Sequence, residues 1–211
     1  MLRQIRQLET RADVCLGPHD HGRTLSLHEF RSAEYAPGYV YELIDGALVV
    51  SPQPMPNHDY WVNVIVGLLR AYAVKNPKRL NYVSEGSELE IPNRPGPTRP
   101  QPDIAAFRNY PYPPPSSWDD VCPDLVVEVI SQRRAEKDTL RNRHLYWQAR
   151  GVREYWIIDP TANALEPALI VLSRTARARS WRQQTIAFGK GFASKNFPGL
   201  RVNLKSLASK E

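Results

Sequence analysis

The chain has 211 residues, 42% of them hydrophobic and 24% charged, which suits one globular domain with a good core and excludes a disordered chain. Its formal net charge of +6 at pH 7 is compatible with a polyanionic partner such as nucleic acid, but a charge of this size does not require one. The longest apolar stretch, WVNVIVGLL, is too short to cross a bilayer, which excludes an ordinary membrane-spanning protein.

The N-terminal segment MLRQIRQLETRADV is charged along its length and lacks the apolar core of a secretory signal. Because residues 1–22 show no apolar periodicity, we predict a weakly ordered leader followed by a single domain over residues 23–211. Cys15 and Cys122 lie far apart without a metal-binding spacing, which indicates free thiols in a reducing compartment. These features predict a cytoplasmic protein that is not associated with a membrane.

The first half of the chain predicts a helix, a hairpin and a second, longer helix. LSLHEFRSA predicts a short helix, with Ser26 as its N-cap and Glu29 three residues later. YVYELIDGALVVS contains two strand-like runs around Asp45-Gly46, a dipeptide typical of tight β-hairpins. HDYWVNVIVGLLRAYAVKN has apolar residues at helical spacing and predicts an amphipathic helix that ends before Pro77. LNYVSEGSELEI then predicts one or two strands.

The second half predicts the centre of the fold. DIAAF is typical of a short strand, and DLVVEVIS of a strand covered on both faces. AEKDTLRNRHLYWQARG predicts a helix that ends with Gly151 at a C′ position, and REYWIIDP a second buried strand. ALIVLSR and WRQQTIAFG favour an antiparallel pair. The order predicts an α/β fold with a mixed sheet flanked by helices, an extra N-terminal hairpin and C-terminal antiparallel strands.

A glutamate interrupts the most apolar of these strands. Glu128 lies within LVVEVI, where an ionised carboxylate must be neutralised, paired or bound to a metal. Asp103 opens the preceding strand, so pairing of the two strands would bring both carboxylates to one end of the sheet. Glu42, in the strand YELIDG, is a third candidate carboxylate.

Two interpretations of this pair remain open at the level of residue types. Two carboxylates a few ångströms apart repel each other unless a cation lies between them, and Mg²⁺ suits such an oxygen site. The backbone carbonyl after Glu128 could add a further ligand. Alternatively, Glu128 forms an ion pair with a buried Arg or Lys, which the spacing alone slightly favours.

Six segments also resemble a known family. LSLHEF, YELIDGALVVSPQP, RPQPDIAAF, PDLVVEVIS, GVREYWIIDP and FPGLRVNL occur, over about residues 24 to 208, in the order typical of the Uma family of restriction endonucleases. The order of PD and a later E-x-x on consecutive strands is similar to the core of PD-(D/E)XK nucleases. The resemblance implies a restriction-endonuclease-like fold, a Mg²⁺ or Mn²⁺ cofactor, a DNA substrate and, by analogy with enzymes that cut both strands, a homodimer.

The resemblance also assigns roles to individual residues. Asp103 and Glu128 match the metal-binding aspartate and glutamate, and Glu42 matches an acidic position that supports the metal or the water. The plain superfamily pattern would place a lysine at residue 130, where this chain has Ile130. Members of the family instead supply the lysine from the next helix, four residues before a tyrosine. With Tyr146 as that tyrosine, the lysine position holds Asn142.

Helical geometry indicates where this position points. At about 100° per residue, four residues of the predicted helix fall on one stripe of its surface, two of them polar and two apolar. The stripe contains Asp138, Asn142, Leu145 and Ala149. Its apolar half should face the core and its polar half the end of the strand that carries Glu128. Lys137 and Arg141 lie on a neighbouring face, from which either could reach in to replace the missing lysine.

Three readings of the function follow. The favoured reading is a divalent-metal-dependent endonuclease acting on DNA, with Asp103 and Glu128 as metal ligands, Glu42 assisting and Asn142 at the lysine position. The alternative is a catalytically impaired member of the same fold that acts as a DNA-binding or protein-interaction module; a weaker one is a structural carboxylate cluster without metal.

Three further sequence features carry less weight. We expect His58 to be a surface residue rather than part of the site. His144 has no ligand partner at helical spacing, which argues against metal binding. The arginine-rich tract SRTARARSWRQQ suits contacts with phosphates and a solvated hairpin surface equally well.

Overall fold

The computed structural model describes residues 15–131, 136–149, 151–160 and 166–208. Contacts between Cα atoms divide the chain into two compact units. The first comprises Met1–Gln53 and Pro95–Pro97, and the second comprises Pro54–Arg94 and Thr98–Glu211. The division into a leader and one domain that we expect from the sequence stays a prediction.

The N-terminal unit contains short elements around a small core. Its elements are β1 (Cys15–Leu16), a 3-10 turn (Pro18–Asp20), α1 (Leu27–Ser32), β2 (Glu34–Tyr35), β3 (Tyr39–Ile44) and β4 (Ala47–Pro52). Ser26 caps α1 in a capping box with Glu29, as the sequence predicts. β3 and β4 form the predicted antiparallel hairpin, and both loop residues, Asp45 and Gly46, have the positive φ that a type I′ turn requires. Of the predicted leader, residues 15–22 are described, and they contribute β1 and the 3-10 turn.

The second unit is built on a six-stranded sheet. Its first elements are α2 (Pro56–Lys75), β5 (Tyr82–Ser84), β6 (Ile104–Phe107), a 3-10 turn (Trp118–Asp120), β7 (Leu125–Val129), a π-helical segment (Lys137–Asn142) and α3 (Arg143–Gln148). They are followed by β8 (Glu154–Asp159), β9 (Ala168–Ser173), β10 (Arg182–Ile186), β11 (Phe192–Ala193), β12 (Arg201–Val202) and α4 (Leu204–Ala208). The strand order is β10-β9-β8-β7-β6-β5, with β7 parallel to β8 and the other neighbours antiparallel. This mixed sheet confirms the predicted α/β fold.

Helices cover both faces of the central strands. Leu125, Val127 and Val129 of β7 pack in the core that contains the apolar face of α2. Because side chains alternate along a strand, Glu128 points to the opposite face. On that face Tyr155 of β8 donates a hydrogen bond from its hydroxyl to the carbonyl of Asp138, at 2.9 Å. The π-helical segment therefore lies over the face that carries Glu128.

Two predictions about elements need correction. The helix expected over residues 135–151 has a π-helical first part and ends at Gln148, with Ala149 as its C-cap. Gly151 is therefore not at the C′ position, and a different constraint acts there. A Cβ atom on Gly151 would lie 2.6 Å from the Cys122 sulfur, so the close approach of these two segments requires glycine. Within the described residues, no helix is long and apolar enough to span a bilayer.

Candidate functional site

Asp103 and Glu128 meet at one end of the sheet because β6 and β7 pair in antiparallel register. Ile104 lies opposite Val127, so the residue before β6 lies beside Glu128. The backbone amide of Asp103 donates to Glu128 Oε2 at 3.4 Å, and the amide of Val129 donates to Asp103 Oδ2 at 2.7 Å. The predicted convergence of the two carboxylates is confirmed.

Neutral donors hold the other oxygen of the glutamate. Glu128 is 1% exposed, and its Oε1 accepts hydrogen bonds from Asn142 Nδ2 at 2.8 Å and from the Tyr146 hydroxyl at 2.6 Å. Asn142 Nδ2 also lies 3.4 Å from Asp138 Oδ1. The lysine position of the family is therefore aimed at Glu128, as the stripe on the helix predicts. Tyr146 is a partner of the glutamate that the sequence analysis used only as a landmark.

Among the described residues, burial and two carboxylates oppose the ionisation of Glu128. Burial raises the pKa of Glu128 well above its usual range, and the charges of Asp103 and Asp138 raise it further, against a smaller lowering by Lys137 and by the Tyr146 hydrogen bond. The pKa of the Tyr155 hydroxyl is also raised, by burial and then by Glu128 and its carboxylate neighbours. This end of the sheet would accommodate an additional positive charge.

His58 belongs to this cluster, so the prediction of a surface histidine is wrong. It lies in the first turn of α2, is 7% exposed, and places Nε2 3.0 Å from Asp103 Oδ2. Burial lowers the pKa of His58, but hydrogen bonds and charges from Asp103 and Asp59 outweigh it, so the net shift is upward. A sequence signal for its burial exists: His58 precedes Trp61 and Val62 by three and four residues, on the apolar face of α2.

Three further candidate residues remain, Glu42, Arg141 and His144. Glu42 is fully buried on β3, in the N-terminal unit, and its supporting role stays a prediction. Arg141 donates from Nε to Asn142 Oδ1 at 2.9 Å, which places a guanidinium beside the amide at the lysine position. His144 is exposed and contacts Gln148 at 3.0 Å.

The donor set fits a divalent cation bound by two carboxylates. Among the described residues, no three Asp, Glu, His or Cys side chains come together as a metal site. Mg²⁺, however, is commonly held by one or two carboxylates and keeps several waters. Asp103 Oδ2 and Glu128 Oε1 accept hydrogen bonds or contacts of 2.6–3.0 Å, whereas Glu128 Oε2 accepts the longer one from the Asp103 amide, at 3.4 Å. Among the described residues, no donor to Asp103 Oδ1 is found. These two oxygens, Glu128 Oε2 and Asp103 Oδ1, could hold the ion.

The central mixed sheet with helices on both faces is a restriction-endonuclease-like α/β fold. The chain belongs to the Uma2 family, described as "Putative restriction endonuclease", whose family model matches residues 27–205.

One solved structure supports the fold assignment. The chain is similar to a protein from Anabaena variabilis ATCC 29413 described as "a putative nuclease belonging to DUF820", with a TM-score of 0.65. The two share 17% sequence identity, and the likeness covers 87% of this chain and 97% of that chain. At this identity the likeness shows the fold. No curated protein matches the sequence.

Proposed function

We propose that the protein is a divalent-metal-dependent endonuclease that hydrolyses phosphodiester bonds in DNA, with Asp103 and Glu128 as ligands of Mg²⁺ or Mn²⁺. The observation that carries this proposal is the meeting of the two carboxylates at one end of the sheet, in surroundings that raise the pKa of Glu128. Membership of the family supports a nuclease function.

Each residue of the cluster has a defined part in such a reaction. A bound divalent ion would supply Lewis acidity and lower the pKa of a coordinated water. The Val129 amide and His58 hold Asp103 through Oδ2, and Oδ1 would bind the ion. Tyr146 and Asn142 hold Glu128 through Oε1, and Oε2, which accepts the longer bond from the Asp103 amide at 3.4 Å, would bind the ion. We propose that Glu42 assists the metal or the water, as its counterpart does in the family.

Two measurements test the metal site and the reaction. In calorimetry with Mn²⁺, the wild-type protein should show a binding site that Asp103→Ala loses. Equal binding by both proteins would contradict the metal assignment. In a plasmid-nicking assay, the wild-type protein should nick in Mg²⁺ or Mn²⁺, and Glu128→Ala should abolish nicking. Glu85→Gln, at a half-exposed ion pair with Arg70, is the matched control and should leave both readouts unchanged.

A second candidate is a catalytically impaired member of the fold that binds DNA or protein. The observation that favours it is the amide of Asn142 at the position that holds lysine in the family. An amide donates a hydrogen bond but brings no positive charge to a phosphate in the transition state. Arg141 could supply that charge, although a guanidinium does not serve as a base.

Asn142→Lys separates the two candidates. If the missing charge limits cleavage, the variant should nick plasmid about tenfold faster or more, because removing one stabilising group at a transition state typically costs that much or more. Arg141→Gln should lower nicking by the wild-type protein if Arg141 supplies the charge. If the wild-type protein already nicks efficiently and neither substitution changes the rate, the argument from the missing lysine is wrong.

We also propose that the protein is a cytoplasmic homodimer. Two active sites would allow both strands of a duplex to be cut, and the two free thiols, Cys15 and Cys122, suit a reducing compartment. Light scattering of the purified protein should give twice the chain mass of 24.1 kDa, and a mass of one chain would contradict the dimer.

A further inference from the structure

The positive charge of the chain is concentrated near its C-terminus. Residues 167–210 contain nine Lys and Arg and neither Asp nor Glu. The rest of the chain holds the other 19 basic residues and all 22 acidic residues, a net charge of −3. The segment therefore accounts for more than the whole net charge of the protein. Such an asymmetry is typical of a surface that meets a polyanion.

The basic side chains of this segment are displayed rather than buried. Arg174 is half-buried, and the other described members are exposed. These are Arg177, Arg179, Arg182, Lys190, Lys195, Arg201 and Lys205.

Three of them surround the small sheet formed by β11 and β12. Arg201 lies on β12 opposite Ala193, and Lys190 ends the turn that precedes β11. Asn203 Nδ2 donates to the carbonyl of Gly189 at 3.1 Å, which ties that turn to the start of α4, where Lys205 lies. Lys190, Arg201 and Lys205 are named here the C-terminal basic surface.

Strand register places the turn with Lys190 at the same end of the sheet as the carboxylate pair. At that end Val129 pairs with Ile158, the next residue, Asp159, pairs with Ala168, and Leu169 pairs with Ile186 at the end of β10. The turn with Lys190 follows directly. Three strand spacings separate β10 from β7, or about 14 Å. Arg201 lies farther along the small sheet, opposite Ala193, whose neighbour Ser194 donates to Glu154.

A second contact places α4 on the same side. The Tyr60 hydroxyl donates to the carbonyl of Ala208, at the end of α4, at 3.3 Å. Tyr60 lies two residues after His58, which contacts Asp103. The helix that carries Lys205 therefore lies beside the turn of α2 that reaches the carboxylate cluster.

The arginines of the β9–β10 hairpin lie at the other end of the sheet. Arg182 pairs with Ser173, which pairs with Glu154, which in turn pairs with Leu125 at the start of β7. These arginines share the sequence bias and the exposure of the C-terminal basic surface but not its place beside the carboxylates. They provide a matched comparison of equal charge.

We propose that the C-terminal basic surface binds the phosphate backbone of duplex DNA on the flank of the Asp103–Glu128 pair. The proposal rests on the proposed nuclease function and names the surface that holds its substrate. Carboxylates repel phosphates, so a duplex at this site needs positive charge close by but outside the cluster. Lys190 and Lys205 offer that charge at the same end of the sheet, and Arg201 extends it along β12. Each Lys or Arg that neutralises a phosphate releases counterions.

The test compares two triple variants that remove the same charge. Lys190→Gln with Arg201→Gln and Lys205→Gln alters the C-terminal basic surface, and Arg177→Gln with Arg179→Gln and Arg182→Gln alters the hairpin. Fluorescence anisotropy with a labelled duplex of about 20 base pairs, in EDTA and over a range of salt concentrations, reports binding without cleavage. The first triple variant should raise Kd on the order of tenfold and reduce the slope of log K against log salt by about 2.7. The hairpin variant should change both far less.

The outcomes distinguish this proposal from the nuclease proposal. The proposal for the C-terminal basic surface would be overturned by any of three results. These are an equal loss of duplex affinity in both variants, no loss of affinity in the first variant, and no duplex binding by the wild-type protein. Thermal unfolding of both variants checks that neither effect reflects misfolding. If the first variant binds weakly while the wild-type protein fails to nick plasmid, the surface stands and the nuclease function fails. If plasmid nicking depends on Glu128 but both triple variants bind duplex equally well, the nuclease function stands and the C-terminal basic surface fails as the binding site.

Discussion

Burial and neighbouring carboxylates oppose the ionisation of Glu128, and a bound cation would favour it. Asp103 and Asp138 lie near a side chain that is almost fully buried, and its direct partners Asn142 and Tyr146 are neutral donors. The two donors fix the orientation of the carboxylate without neutralising it. This arrangement predicts that the buried carboxylate favours metal binding and lowers the stability of the metal-free protein.

The stability of the metal-free protein should therefore fall as pH rises. Below the usual carboxyl pKa both folded and unfolded states hold the proton of Glu128, and stability is greatest. As pH rises towards the raised pKa of Glu128, the unfolded state ionises first, so the free energy of unfolding falls. The raised pKa of His58 acts in the same direction at higher pH, because its stabilisation is lost as pH passes through that pKa.

Urea denaturation in EDTA between acidic and neutral pH measures this dependence. Glu128→Gln should flatten the acidic part of the curve, since the variant has no carboxyl group to titrate. Glu85→Gln, at the half-exposed pair with Arg70, should keep the wild-type slope. A Glu128→Gln curve as steep as that of the wild-type protein would contradict the assignment.

At the scale of elements, the segment between β7 and β8 shows how local irregularity serves the site. The π-helical turn over Lys137–Asn142 leads into α3, and together they bring Asp138, Asn142 and Tyr146 to one side. π-helical turns are frequent at functional sites. A regular helix is what the sequence predicts, because apolar spacing does not reveal a wider turn.

Arg174, which follows β9, forms hydrogen bonds to backbone carbonyls at the end of α3. Its guanidinium donates to the carbonyls of Trp147, Ala149 (2.5 Å) and Val152 (2.6 Å) and lies 4.7 and 4.9 Å from the ring centres of Trp147 and Trp181. Burial and the neighbouring Arg153 lower its pKa. The planar guanidinium group thus donates hydrogen bonds to carbonyl groups that have no donor within the helix where it ends.

Arg174→Lys should lower the free energy of unfolding by about 2–3 kcal/mol, because an ammonium group can neither reach all three carbonyls nor stack between two indoles. Arg182→Lys, an exposed position on β10, is the control and should change stability by less than about 0.5 kcal/mol. Urea denaturation measures both. If both variants lose similarly little free energy of unfolding, Arg174 contributes only its charge.

At the scale of the whole molecule, metal binding should be coupled to stability. If Asp103 and Glu128 bind the ion only in the folded state, Mn²⁺ at about 100 times its Kd should stabilise the protein by about 2.7 kcal/mol. Asp103→Asn, which keeps an acceptor for the Val129 amide, should abolish the stabilisation. Thermal unfolding with and without Mn²⁺ provides the measurement, and an equal rise in Tm for both proteins would place the ion elsewhere.

Much of this architecture was already determined by local sequence patterns. The apolar run around Glu128 predicts a strand buried on both faces, and Asp45-Gly46 predicts the hairpin, because side-chain periodicity and turn chemistry act over a few neighbouring residues. The order of the strands also predicts that Asp103 meets Glu128. The acidic part of the candidate site was therefore accessible from the sequence alone.

Only the tertiary structure decided which other side chains surround that pair. His58 reaches Asp103 across 45 positions of the chain, and Tyr146 reaches Glu128 across 18. The turn with Lys190 comes to the same end of the sheet as the pair only through the register of four strands. Such contacts depend on how whole elements pack, and the packing is set by the summed burial of many apolar side chains rather than by any local pattern.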